Sequence, residues 1–192
     1  MKKLVALTVL LGTIAASGTA IAADSMQRSA DWSGFTVGVI GTVAGGEDDW
    51  PGDGIYDLDT GLFGGAFVSY DYQIDNVVVG AVAKAQWGKM KETAYPTFFY
   101  NAFYDINGRL GYAMNNALVY ASGGLTIASI EEDGLGFTST GYNLGAGIDF
   151  QLTEKVVLGG EYTFRSLSDD CPHGFPFELS SHSFTAKIGY RF

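Results

Sequence analysis

The C-terminal stretch alternates without a break. Phe184, Ala186, Ile188, Tyr190 and Phe192 share one parity, and Ser183, Thr185, Lys187, Gly189 and Arg191 share the other. A strand of period two sends the first set to one face and the second to the opposite face. The same pattern recurs upstream over residues 34–44, 61–72, 77–87, 99–113, 118–130, 138–150 and 156–165. Val79, Ala81, Ala83, Ala85 and Trp87 oppose Gly80, Val82, Lys84 and Gln86, for example. Tyr142, Leu144, Ala146, Ile148 and Phe150 oppose Asn143, Gly145, Gly147 and Asp149. The stretch 118–130 is less clean, because Gly123 and Gly124 blur its parity. Short turns at Gln73-Ile74-Asp75-Asn76, Met114-Asn115-Asn116 and Leu152-Thr153-Glu154-Lys155 alternate with four longer polar loops.

Polarity decides which face is buried. One set carries Leu144, Ile148, Phe150, Phe184, Ile188, Tyr190 and Phe192. The other carries Lys84, Asn107, Arg109, Asp149, Glu161, Lys187 and Arg191. Such ions do not share a dry core unpaired, since desolvating each costs several kcal/mol. Facing a hydrated, mutually paired lumen avoids that cost, while the apolar set meets lipid. Closure leaves no unpaired strand edge in the bilayer. The chain is therefore predicted to be all-β, an eight-stranded antiparallel up-and-down transmembrane β-barrel. Its short turns belong at the periplasmic end and its long loops outside.

The N-terminus changes the compartment. Met1-Lys2-Lys3 is a basic start, residues 4–16 are apolar, and Ala20-Ile21-Ala22 is a small-x-small cleavage site. Residues 1–22 read as a cleaved signal peptide and 23–192 as one barrel domain, placed in the bacterial outer membrane. No later apolar run is long enough for a membrane helix. The formal charge is −10, and loss of Lys2 and Lys3 takes the mature chain to near −12. That acidity excludes a nucleic-acid partner, which needs a basic patch. With 27 Gly, 4 Pro, 11 Tyr and 13 Phe, the composition suits strands and tight turns. Cys171, the single cysteine, has no intramolecular partner and is flagged as a free thiol or a crosslink.

Several motifs carry a resemblance. Gly108-Arg109-Leu110-Gly111-Tyr112-Ala113 is followed by Tyr120-Ala121-Ser122-Gly123-Gly124-Leu125. Gly141-Tyr142-Asn143-Leu144-Gly145-Ala146-Gly147-Ile148-Asp149-Phe150, Glu161-Tyr162 and Gly189-Tyr190-Arg191-Phe192 come after them, and Trp32-Ser33-Gly34-Phe35 opens the first strand. In this order and spacing the chain resembles the small outer-membrane barrels of alphaproteobacteria, OmpA/OmpX-type "porin family" surface proteins. The resemblance covers essentially the whole mature chain. It implies that Phe184, Ile188, Tyr190 and Phe192 form a C-terminal signal read by the barrel-assembly machinery. The implied partners are that machinery, periplasmic chaperones, outer-membrane lipid and lipopolysaccharide, with the barrel a monomer. Some members of the family are described as haemin-binding or as small porins.

Candidate chemistry is sparse. Lys84, Arg109, Asp149 and Glu161 share the lumen parity on four strands. They read as a salt-bridge network filling an interior only just wide enough for side chains, with a gated polar pathway as the alternative. Glu47, Asp48, Asp49, Asp53, Asp57 and Asp59 read as a solvated acidic loop over residues 45–60. Asp49, Asp53 and Gly54 faintly echo a calcium loop, but Pro51 and Thr60 stand where ligands belong. Ser180-Ser181-His182-Ser183 suggests a hydrolase, yet His182 takes the lipid parity and Glu161 the lumen parity. His173 beside Cys171 is a weak haem candidate. Trp32, Trp87, Tyr72, Tyr112, Phe150, Tyr190 and Phe192 read as interfacial girdles. The expectation is a non-enzymatic surface barrel with no catalytic residue, cofactor or metal. The alternatives are a narrow channel for small solutes and loop-mediated binding of haem or a host surface.

Overall fold

The computed structural model describes residues 30–52, 54–95, 97–170, 174 and 176–192. The proposed signal peptide, Asp53, Cys171 and His173 lie outside the described residues. Eight strands follow in order: β1 (Gly34–Trp50), β2 (Gly54–Ile74), β3 (Val77–Lys91), β4 (Phe98–Met114), β5 (Ala117–Glu132), β6 (Leu135–Gln151), β7 (Val156–Asp170) and β8 (Pro176–Arg191). Each pairs antiparallel with its sequence neighbours, and β8 pairs with β1 to close the barrel. The alternation is physical as well as textual: β8 switches between exposed and buried at every residue. β5 keeps its parity straight through Gly123 and Gly124, with Tyr120, Ser122, Thr126 and Ala128 all buried. At the short-turn end, Asp75 and Asn115 both take φ of 54°, a left-handed conformation that Asp and Asn tolerate.

The strands are longer than the sequence pattern predicts. Residues 45–60 are not a loop, because β1 and β2 run on through them to the pair Trp50↔Gly54. Lys89 and Lys91 lie on β3, Asp169 and Asp170 end β7, and Glu178 sits on β8. A bulge between Ala44 and Gly46 marks the change, with Asp59 and Thr60 both exposed opposite it. Beyond the bulge the outward positions turn from apolar to acidic: Glu47, Asp49, Asp57 and Asp59 are exposed, whereas Asp48 and Leu58 point inward. The belt of exposed Val, Leu, Ile, Tyr and Trp covers residues 35–43 of β1 and 62–74 of β2, with matching stretches around the ring. Nine residues at ~3.3 Å each, tilted by ~40°, span a hydrocarbon layer of ~25 Å. The belt residues form the membrane-spanning segments, and the distal ends of the strands stand beyond them in water.

Inside, the barrel is filled in tiers. At the short-turn end Trp32, Val78, Ala113, Leu118, Tyr120 and Val157 pack together. Trp32 is 3% exposed, so it is a plug and not a girdle residue. Its backbone N–H donates to Gln73 Oε1 at 2.7 Å, and the Arg191 guanidinium lies 5.7 Å from its ring. The other aromatics of the girdle set are exposed, and Trp87 Nε1 donates to the Tyr104 hydroxyl at 3.2 Å. The distal end holds a larger apolar plug that includes Phe63, Met90, Phe98, Tyr100, Phe103, Phe177 and Leu179. Asp48 and Glu92 are buried beside the distal plug, on Tyr100 and Trp50, and the paired charged groups lie between the two plugs.

Candidate functional site

The parity of each strand decides which side chains meet inside. Asp71 comes from β2, Lys84 from β3, Asp105 and Arg109 from β4, Asp149 from β6, Glu161 and Arg165 from β7, and Lys187 from β8. All eight are buried. Arg109 Nε donates to Asp71 Oδ1 at 2.6 Å, its Nη2 reaches Asp71 Oδ2, and its Nη1 donates to Asp149 Oδ2 at 3.3 Å. Lys187 Nζ lies 3.0 Å from Asp149 Oδ1. In the next layer Lys84 Nζ donates to Glu161 Oε1 and stands 3.6 Å from Asp105 Oδ2. Arg165 grips Asp105 with two bonds, Nε to Oδ1 at 3.1 Å and Nη2 to Oδ2 at 2.7 Å. Such forked pairing suits the planar guanidinium.

Tyr120 joins the two layers. Its hydroxyl donates to Glu161 Oε2 at 2.8 Å and accepts from Lys187 Nζ at 3.0 Å. Neutral donors complete the shell: Thr126 Oγ1 donates to Asp105 at 2.7 Å, Thr163 Oγ1 to Glu161 at 3.0 Å, and Asn107 and Asn143 bond each other. Glycines make the room. A Cβ on Gly147 would lie 2.3 Å from the Tyr120 hydroxyl oxygen, and one on Gly159 would lie 2.1 Å from Asp149 Oδ1. The network holds four cations (Lys84, Arg109, Arg165, Lys187) and four carboxylates (Asp71, Asp105, Asp149, Glu161), so its charge is balanced.

The four residues singled out from the sequence fall into this one network, with Lys84 on Glu161 and Arg109 on Asp149. Sequence reasoning missed Asp71, Asp105, Arg165 and Tyr120 as members. Asp71, Asp105 and Arg165 have the lumen parity of their strands, but pairing across the lumen depends on shear and register, which no single strand displays. The remaining candidates disperse. His182 faces outward, where its Nδ1 lies 2.6 Å from the Tyr162 hydroxyl, while Ser181 and Ser183 are buried inside. Ser183 Oγ accepts from Arg165 Nη1 at 2.7 Å. Ser180 and Glu178 share the outer face with His182, but the imidazole Nδ1 meets the Tyr162 hydroxyl instead of either, so no base is seated on a nucleophile. Asp49 ends in β1 and Gly54 begins β2. Among the described residues no three His, Cys, Asp or Glu side chains gather as a metal site would need.

A family model described as "Outer membrane protein beta-barrel domain" matches residues 7–192. The 22 kDa outer membrane protein of Rhizobium leguminosarum bv. viciae is 26% identical over 166 residues, covering 83% of this chain and 74% of the relative. The 31 kDa outer-membrane immunogenic protein of Brucella melitensis biotype 1 is 26% identical over 243 residues, covering 96% of this chain and 99% of the relative. Among solved structures, the attachment invasion locus protein of Yersinia pestis aligns with a TM-score of 0.54 at 18% identity, over 83% of this chain and 99% of that one. The last of these shows the fold alone.

Proposed function

The chain belongs to the outer membrane protein β-barrel domain family, and from that premise we propose that it is a closed, non-enzymatic envelope barrel presenting an acidic outer end. The observation that carries this reading is the balanced ion network between two apolar plugs. Every cation in it has a carboxylate within reach, so no charge is left over to draw a solute through. Burying such ions is costly unless they are paired and hydrogen-bonded, and here they also tie six strands together. The outward apolar belt then meets outer-membrane lipid, with lipopolysaccharide around the distal strands. The name of the Brucella relative fits a distal end that faces the outside of the cell. Against catalysis stands the pairing of His182 Nδ1 with the Tyr162 hydroxyl and not with Ser180, the serine on its own face.

In this reading Phe184, Ile188, Tyr190 and Phe192 are the stripe that the assembly machinery and its chaperones read, and the finished barrel is a monomer. The test of the closed lumen is conductance of the refolded protein in planar bilayers, beside an Arg109→Ala variant. The expected record is silent for the parent, with folding verified by heat-modified gel mobility. Reproducible single-channel steps in the parent, altered in size by Arg109→Ala, would replace the closed barrel with a narrow channel for small solutes.

A further inference from the structure

The distal mouth contains a cavity of about 550 Å³, of the size that small organic ligands occupy. Trp50, Tyr95, Phe98 and Pro176 line it together with Glu132 and Asp133, and no Lys or Arg is among its described lining residues. Four strands bring these groups together, since Trp50 ends β1, Phe98 opens β4, Glu132 ends β5 and Pro176 opens β8. The aromatic walls are held in place. Phe98 is buried in the distal plug, with its ring 5.4 Å from Trp50 and 5.6 Å from Phe177, nearly edge-on to both. Trp50 Nε1 donates to Glu92 Oε2 at 3.1 Å, which fixes the indole plane. Tyr95 is 51% exposed and leans edge-on against Tyr56 at 5.5 Å.

We propose that this mouth binds an apolar organic ammonium, a protonated amine carried on an aromatic or aliphatic body. Three features select that chemistry. Aromatic faces attract a cation through the ring quadrupole, and the indole does so best. Glu132 keeps its Oε2 shielded from water with no hydrogen-bond partner among the described residues. Glu132 and Asp133 set carboxylates in an apolar lining, and an ammonium brings both the charge and the N–H donors that compensate them. The surrounding rim is acidic: Glu47, Asp49, Asp57, Asp59, Asp169 and Asp170 are exposed beyond the lipid belt, against Lys89 and Lys91. Such a field concentrates cations at the mouth. An anionic ligand meets repulsion at each of these points, and a neutral donor offers Glu132 only an uncharged hydrogen bond, weaker than that of an ammonium. The site stands independently of whether the lumen conducts.

The experiment is calorimetric titration of the full barrel in lipid nanodiscs, with empty nanodiscs as the blank, using 2-phenylethylammonium and its neutral counterpart 2-phenylethanol. The ammonium is expected to bind about tenfold more tightly than the alcohol, and less tightly as salt rises. Glu132→Gln is expected to remove most of that preference, and Trp50→Leu to weaken the ammonium about tenfold. Heat-modified mobility verifies that both variants fold. The comparison of the two probes on the parent protein needs no variant at all. Equal affinity for ammonium and alcohol overturns the proposal, as does the lack of saturable heat up to ~10 mM ammonium. Unchanged ammonium binding in folded Glu132→Gln overturns it too.

Discussion

At Tyr120 a single oxygen donates to Glu161 and accepts from Lys187, linking the two layers of the interior network. Tyr120→Phe keeps the ring, which packs with Trp32 and Leu118, and deletes only that link. Glu161 and Lys187 retain their ion-pair partners, so the expected loss is about 1–3 kcal/mol in denaturant unfolding of the refolded barrel. Glu161→Gln is harsher, because it leaves Lys84 facing only Asp105 at 3.6 Å. Removing one partner of a buried pair costs about 3–5 kcal/mol, whereas replacing both with apolar groups of similar volume is near neutral. The double variant Lys84→Met with Glu161→Leu should therefore be more stable than Glu161→Gln alone. Were the double variant the less stable of the two, the pair would be a net source of stability and not a matched cost.

The distal β1–β2 hairpin is an element with its own pH dependence. Asp48 lies beyond the lipid belt, fully buried, and accepts from the Tyr100 hydroxyl at 2.8 Å. Burial pushes its carboxyl up to about 7, the Tyr100 bond opposes the rise, and nearby Glu92 adds to it. The folded hairpin thus prefers the neutral acid. That contribution is fully present below the ordinary value of 3.8 and is lost as pH rises through about 7. Amide protection factors in the hairpin should fall between pH 5 and pH 8, and Asp48→Asn should flatten the profile. A fall of equal size in the Asp48→Asn variant would assign the effect to other groups. The same hairpin shows where the sequence was legible and where it was not. Alternation over residues 34–44 and 61–72 located both strands, because there one face meets lipid and the other the lumen. Across residues 45–60 both strands continue, but their outward face meets water, so acids take the place of apolar residues and the stretch looks like a loop. Trp32 deceived for a related reason: its position near a strand end is the same for a girdle and a plug, and only its fold back over the short-turn end separates them.

For the whole molecule, stability and assembly fall on different residues. The charges of the eight-residue network cancel, an apolar cluster packs toward each end of the barrel, and acidic side chains are displayed at the distal rim. None of this involves the Phe192 side chain, which is 76% exposed and touches chiefly the Tyr190 ring, 5.1 Å away. The contribution of Phe192 to closure comes from its backbone, whose N–H donates to Phe35 O at 3.0 Å. A side chain so placed on the outer face packs on little protein, so its removal forfeits chiefly its transfer into the membrane interface, at most about 2 kcal/mol. If the aromatic stripe ending at Phe192 is what the assembly machinery reads, Phe192→Ala should separate two measurements. The unfolding midpoint of purified, refolded protein should fall only by the small amount that this transfer explains, while the folded fraction recovered from cell envelopes should drop several-fold. A parallel loss in both would make Phe192 a packing residue. An unchanged yield in cells would remove it from the assembly signal and leave that role to Phe184, Ile188 and Tyr190.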